Sequence, residues 1–289
     1  MGPIKGAALL AASAAAYALY EPYRFRLVAL EVPVRDSGAG FSVLHVSDTH
    51  LTHRKRSLMS FLSGLPERLG ERPDLVLATG DFVEDDSGID PAIEALGRLD
   101  ARLGRFFVLG SHDYYASAFR LDGYVKYFGG RRKPVTAARI DTRRLVGGLQ
   151  DVGWTALTNS DAVVEDRGRR IRLAGVDDPY IRRHSLDHVH RNPEDSLAIG
   201  LMHGPDVVSE FALAGFDLVL AGHTHAGQVR IPGIGALVTN CSLPPEIAGG
   251  LSRVGRMWLH VSPGLGSARF GPIRFNCPPE ATLLRLTSG

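Results

Sequence analysis

The sequence predicts an α/β fold, and three observations carry the prediction. Short apolar, β-rich runs recur along the chain, each ending on polar residues. Helix-like stretches with three-to-four spacing separate the early runs, and Gly and Pro punctuate strands towards the end. Strands alternating with helices imply a parallel sheet, and the later strands imply a second one. At 289 residues, with 44% hydrophobic and 22% charged side chains, the composition excludes disordered, fibrous and polytopic membrane classes. The 33 basic and 31 acidic residues leave a net charge of +2. That balance excludes nucleic-acid binding by bulk charge, so no nucleic-acid partner is expected and anion recognition must be local.

From Gly6 to Tyr20 the chain reads GAALLAASAAAYALY, uncharged, with Lys5 before it and Glu21, Arg24 and Arg26 after it. A transmembrane helix wants about 20 apolar residues. The run therefore reads as a weak membrane anchor or as a signal-peptide core with Ala14-Ala15-Ala16 available for cleavage. An ordinary surface helix would show a polar face, which is lacking. Pro22 ends the helix near Tyr20, and Lys5 against Arg24 and Arg26 leaves orientation open. Residues 1–26 are expected to associate with a membrane and 27–289 to form the folded domain, one reading placing it outside the cytoplasm.

The first buried strand is FSVLHVSD, Phe41 to Asp48. The pattern returns in LVLAT before Gly80-Asp81, FFVL before Gly110, IRLAGV before Asp177, LAIGLM before His203 and DLVLA before Gly222. Helices are expected over Ser57 to Leu69 and Pro91 to Leu103. Residues 229 to 289 hold VRIPGIGALV, RMWLHVS and ATLLRL, which read as hairpins completing the second sheet. Cys241 and Cys277 lack zinc-finger spacing, leaving two thiols or one disulfide.

The strand ends collect Asp48-Thr49-His50, Gly80-Asp81, Gly110-Ser111-His112-Asp113, Met202-His203-Gly204 and Gly222-His223-Thr224-His225. Residues two apart on a strand share a face, so DxH offers one oxygen and one nitrogen to a single cation, and HxH two nitrogens. Such mixed ligation suits Mn, Fe or Zn better than Ca or Mg. Any one of these histidines alone reads as a hydrogen-bonded core or surface residue, but five strand ends together read as a site.

Those blocks, in that order, resemble the calcineurin-like metallophosphoesterase superfamily, with D-x-H, G-D, G-N-H-D/E, a lone H and G-H-x-H. The resemblance runs from Phe41 to about Leu286. It is nearest the membrane-anchored bacterial branch, through Glu21-Pro22, the GHTHxGQ block from Gly222 to Gln228, and Pro278-Pro279-Glu280. It implies a four-layer α/β/β/α sandwich of two mixed sheets flanked by helices, with a two-metal centre at the sheet edges. Asp48, His50 and His225 would hold one divalent ion, His203 and His223 the other, and Asp81 both. His112 would stabilise or protonate the departing oxygen, its ring oriented by Asp81 or Asp113, unless Asp113 is a turn residue. Metal-bound hydroxide would attack a phosphomonoester, phosphodiester or pyrophosphate bond. The one departure is Ser111, where the family has asparagine, a better neutral ligand for the second ion.

For substrate, the resemblance and the N-terminus together point to a phosphorylated, lipid-linked or cell-envelope compound. A cyclic-nucleotide phosphodiesterase and a non-catalytic metal-stabilised binding module are the alternatives. Tyr114, Tyr115, Phe119, Tyr124, Tyr127 and Phe128, followed by Arg131, Arg132, Lys133, Arg143 and Arg144, read as a cap over an anionic substrate, a membrane seat, or a helix packed on the core. Arg182-Arg183-His184 reads as a further basic cluster or a plain loop. Ser262 to Gly266 reads as an ordinary turn or as a phosphate-binding loop of backbone N–H groups.

Overall fold

The computed structural model describes residues 3–34, 40–117, 138–269 and 271–288. Two six-stranded sheets face each other. The first runs in the order β1 (Arg26–Val34), β14 (Glu280–Ser288), β2 (Phe41–Val46), β3 (Leu75–Ala78), β4 (Gly104–Phe107) and β5 (Thr155–Ala156). The second runs β12 (Gly250–Val254), β13 (Met257–Val261), β9 (Leu218–Ala221), β8 (Leu197–Leu201), β7 (Arg169–Gly175) and β6 (Ser160–Asp166). Both are mixed: β14 is antiparallel to β2, and β12 and β6 are antiparallel edge strands on a parallel centre.

Alternation along the strands builds the layers. In β2, Val43 faces the second sheet, meeting the layer that holds Leu77, Ile199 and Leu220, while Leu44 and Val46 face outwards. The outward face is covered by α2 (Arg56–Ser63), α3 (Leu65–Leu69), α4 (Ile89–Gly97) and α5 (Thr142–Asp151), through Leu62, Leu65, Leu96 and Leu149. On the other side α6 (Val208–Leu213) closes the second sheet with Val208 and Phe211. Central strands buried on both faces explain why they read as unbroken apolar runs. The result is the expected α/β/β/α sandwich.

Three expectations change. The stretch 57–69 is two helices, because Gly64 ends α2 and Pro66 opens α3 in the first turn, where its missing N–H costs nothing. The stretch 91–103 is helical only over Ile89–Gly97; Pro91 is tolerated near the start, and Gly104 begins β4. The final strands do not all complete the second sheet. Only Met257–Val261, paired with Gly250–Val254, joins it; Glu280–Ser288 inserts between β1 and β2, and β10 (Arg230–Ile231) with β11 (Gly235–Ala236) forms a separate ribbon.

The helix α1 (Pro3–Tyr20) precedes β1. Its last turn is tied to the domain: the Tyr17 ring packs edge-on against Phe275, and buried Glu21 accepts from Tyr17 Oη and the Cys277 N–H. Among the described residues no helix is long and apolar enough to cross a membrane. Cys241 and Cys277 are free thiols, the latter buried.

Candidate metal centre

The ligand residues sit just past the strand ends, not on the strands. β2 stops at Val46 and β3 at Ala78. Asp48, His50, Asp81, His223 and His225 all have left-handed backbone, with φ of 52°, 44°, 52°, 66° and 48°. The shared face of an extended DxH or HxH is therefore not what brings the side chains together; successive left-handed turns do. Such conformations cost about 1–3 kcal/mol each for non-glycine residues and cluster at functional sites. Backbone bonds lock them: Asp48 N–H donates to Gly80 O, and His50 N–H to Asp81 O. Glycines make room, since a Cβ on Gly110 would overlap Asp81 Oδ1, and one on Gly222 would overlap Ser47 Oγ and Asp48 Oδ2.

Among the described residues three overlapping groups of donor atoms result, each within 4.8 Å: Asp48, His50 and His225; Asp48, Asp81 and His203; and His50, Asp81 and His112. Asp81 Oδ2 lies 3.7 Å from His50 Nε2 and 3.1 Å from His203 Nε2. His225 Nε2 is 3.5 Å from Asp48 Oδ1.

The outer ring nitrogens are committed elsewhere, which fixes what faces inwards. His50 Nδ1 bonds Glu84 at 2.9 Å, His203 Nδ1 bonds Thr79 O at 2.6 Å, and His223 Nε2 bonds Asn240 O at 3.2 Å. With these partners His50 and His203 turn Nε2 inwards, His50 Nε2 lying 3.3 Å from His225 Nε2, while His223 lies in none of the three groups and has Nδ1 uncommitted. His203 Nε2 is buried and, despite its closeness to Asp81, has no aligned hydrogen-bond partner. Burial works against charge on both groups, yet His203 holds Asp81 well below the usual carboxylate range, and Asp81 in turn raises His203. Two buried carboxylates and inward-facing imidazoles fit divalent cations.

The family model for calcineurin-like phosphoesterase matches residues 41–227, spanning all five blocks. The chain belongs to the calcineurin-like phosphoesterases. Among its relatives are the Bacillus subtilis metallophosphoesterase YkuE, 26% identical over 86% of this chain and 80% of that one, and the Escherichia coli phosphodiesterase YaeI, 27% identical over 92% and 90%. The UDP-2,3-diacylglucosamine pyrophosphatase LpxG of Chlamydia trachomatis is 28% identical over 85% and 83%. This phosphoesterase is thus a metal-dependent hydrolase of phosphorylated substrates.

His112 stands in a turn at Ser111–Asp113, after β4, with a ring nitrogen near His50 and Asp81. Burial lowers its pKa. Neither Asp81 nor Asp113 orients the ring. Asp81 Oδ1 accepts the His112 backbone N–H at 2.7 Å, and Asp113 accepts the N–H groups of Asp81, Phe82 and Gly110, a turn-building role. The ring partner is Ser117, whose Oγ lies 3.1 Å from His112 Nδ1 and whose hydroxyl helps hold the Glu84 carboxyl low. Ser111 sits in the same turn, beside Gly110, where an added Cβ would overlap Asp81 and His203.

Glu84 is the main residue that sequence reasoning missed; its signal was a carboxylate three residues after Asp81. Arg274 is another. It is fully buried, donating to the carbonyls of Cys277, Gly264 and Gly266, with Nη2 3.2 Å from His225 Nδ1. The loop Ser262–Gly266 does not offer its N–H groups to a phosphate: Leu265 and Gly266 donate to Ser47 O and Asp48 O, and Gly264 to Ser262 Oγ. Arg183 is held by Asp177 at 2.9 Å and lies over the Tyr114 ring. Tyr180 packs on His223, with ring centroids 4.6 Å apart. Phe119, Tyr124, Tyr127, Phe128, Arg131, Arg132 and Lys133 lie outside the described residues; Arg143 and Arg144 are on α5.

Proposed function

We propose that this phosphoesterase works with two divalent cations, Mn, Fe or Zn, on a phosphodiester or pyrophosphate bond of a lipid-linked or cell-envelope substrate. The observation that carries this reading is the overlap of two donor groups, Asp48/His50/His225 and Asp48/Asp81/His203, with His223 beside His203 at 5.2 Å between ring centroids. Asp48, His50 and His225 would hold the first cation, His203 and His223 the second, and Asp81 both, with the Ser111 hydroxyl in the place of a better amide ligand. Bound there, the cations supply a lowered water pKa and charge neutralisation at phosphorus.

The chain's own contribution is proton handling and positioning. With Nδ1 of His112 directed at Ser117, its Nε2 is the atom that delivers a proton to the departing oxygen. Ser117 Oγ accepts from Nδ1–H of the imidazolium and holds the ring in place, with the Glu84 carboxylate offsetting its charge nearby. The names of the phosphodiesterase and pyrophosphatase relatives support those two bond types, and the sugar-lipid substrate in the latter's name supports a lipid-linked compound.

The test is metal content together with hydrolysis of aryl phosphomonoesters, aryl phosphodiesters and a pyrophosphate diester, on the full chain in mild detergent. Keeping α1 matters, because Glu21 is buried against Cys277. Two ions per chain with metal-dependent turnover is expected. No turnover with Mn, Fe or Zn overturns the reading.

A further inference from the structure

Outside the metal centre, the described surface carries one concentration of exposed apolar side chains. On α1 every residue from Ala7 to Ala16 is exposed, including Leu9 and Leu10, and none is charged. At its C-terminal end Leu19, Tyr20 and Tyr23 are exposed too. The remaining members come from the ribbon and its neighbour: Ile231, Ile234, Leu237, Val238 and Ile273. Ile234 and Leu237 are 72% and 55% exposed.

These groups are joined through backbone. Arg274 N–H donates to Ala18 O, at the end of α1, and Arg230 N–H donates to Phe275 O, at the base of the ribbon. Gln228, the last residue of the GHTHAGQ block, donates its amide to Gly271 O and Ile273 O and so ties the ribbon base to the same segment. The ribbon also adjoins the metal centre: Gly227 packs under Ala236, and Asn240 O, just past the ribbon, receives His223 Nε2.

We propose that α1, the β10–β11 ribbon and Ile273 form one docking surface for an anionic phospholipid bilayer, holding the metal centre beside the headgroups. Three features select lipid over a protein partner. From Ala7 to Ala16 the exposed stretch of α1 carries no charged side chain on any side, so it has no polar face to turn to water. Tyr20 and Tyr23 mark its end with side chains that favour the membrane–water boundary. Lys5 and Arg24 are exposed near its two ends, where anionic headgroups would meet them; Arg26, at the start of β1, is paired with Glu280. The inference deepens the proposed function, resting on it for the substrate but not for the surface.

The test is flotation of the full chain with phosphatidylcholine vesicles, with and without phosphatidylglycerol, comparing wild type with Ile234→Asp/Leu237→Asp. Both side chains are exposed, so folding is spared. Loss of two inserted apolar side chains is expected to weaken partitioning by about tenfold or more. Turnover of a soluble aryl phosphodiester by the variant should stay at the wild-type level. A Leu9→Asp/Leu10→Asp variant should weaken binding as well. Equal flotation of the ribbon variant and wild type overturns the proposal. So does wild type that ignores vesicles but sediments as a dimer which the ribbon variant breaks, since the occupant is then a second copy. Wild type that floats yet hydrolyses nothing refutes the proposed function and leaves the surface standing.

Discussion

The carboxylate of Glu84 accepts the Nδ1 proton of His50 at 2.9 Å, and each side chain is 1% exposed. Burial alone would raise the Glu84 pKa, but the His50 hydrogen bond and charge bring it down to about 2. Glu84 is therefore ionised at any working pH, and it fixes both the tautomer and the orientation of His50. Glu84→Gln keeps the shape and removes the charge. It should lower affinity for the first cation by about 10–100-fold, the usual effect of losing a partner that orients a ligand. Titration of the metal-free protein with Mn, followed by electron paramagnetic resonance, measures this. Unchanged affinity in the variant would refute the positioning role.

His112 belongs to the same chain of bonds through Ser117, which separates its effect from that of the metal ligands. His112→Ala should leave metal content intact and cut turnover by about 10²-fold or more, the range of general acid–base help. Ser117→Ala should cost less and shift the pH profile, because only the support of the ring is lost. Equal rates for His112→Ala and wild type would remove His112 from the mechanism.

The strands and the donor residues were legible in the sequence because burial on both sheet faces writes an unbroken apolar run, and polarity returns where the chain leaves the sheet. The way the donors converge was not legible. Alternation along an extended strand suggested that Asp48 and His50 share a face, whereas both have positive φ, which no periodicity encodes. The place of Glu280–Ser288 was equally hidden, since a strand's neighbour is a long-range choice and ATLLRL fits either sheet. Arg274 stands in no motif of the sequence; only the fold shows three carbonyls closing around it.

Gly222 tests the convergence directly. A Cβ there overlaps Ser47 Oγ and Asp48 Oδ2, and these two side chains are themselves bonded, with Thr79 and the buried His45–His260 pair behind them. Gly222→Ala should therefore displace Asp48, the carboxylate shared by two donor groups, and abolish tight metal binding while the protein remains folded. Circular dichroism beside metal analysis separates the two effects. A variant that holds the wild-type complement of metal would show that Asp48 is not confined as described.

Far from the site, Asp195 is one of the carboxylates that contribute to stability at low pH. Its side chain is fully buried on the second sheet and accepts from Arg172 Nε at 2.6 Å, Arg170 Nε at 2.9 Å and the Asn192 N–H. Burial pushes its pKa up, but Arg172, then Asn192 and Arg170, hold it below the usual value. A depressed folded pKa stabilises the protein above the unfolded value, about 3.9, and that contribution is lost as pH falls through the folded value. Wild type should thus lose stability below about pH 4. Arg172→Leu leaves a buried carboxylate with a half-exposed partner and should cost about 3–5 kcal/mol at neutral pH. Because its Asp195 then titrates nearer the unfolded value, the acid slope below pH 4 should flatten. Urea unfolding across the acid range reads both effects, and a variant with wild-type stability and slope would refute the assignment.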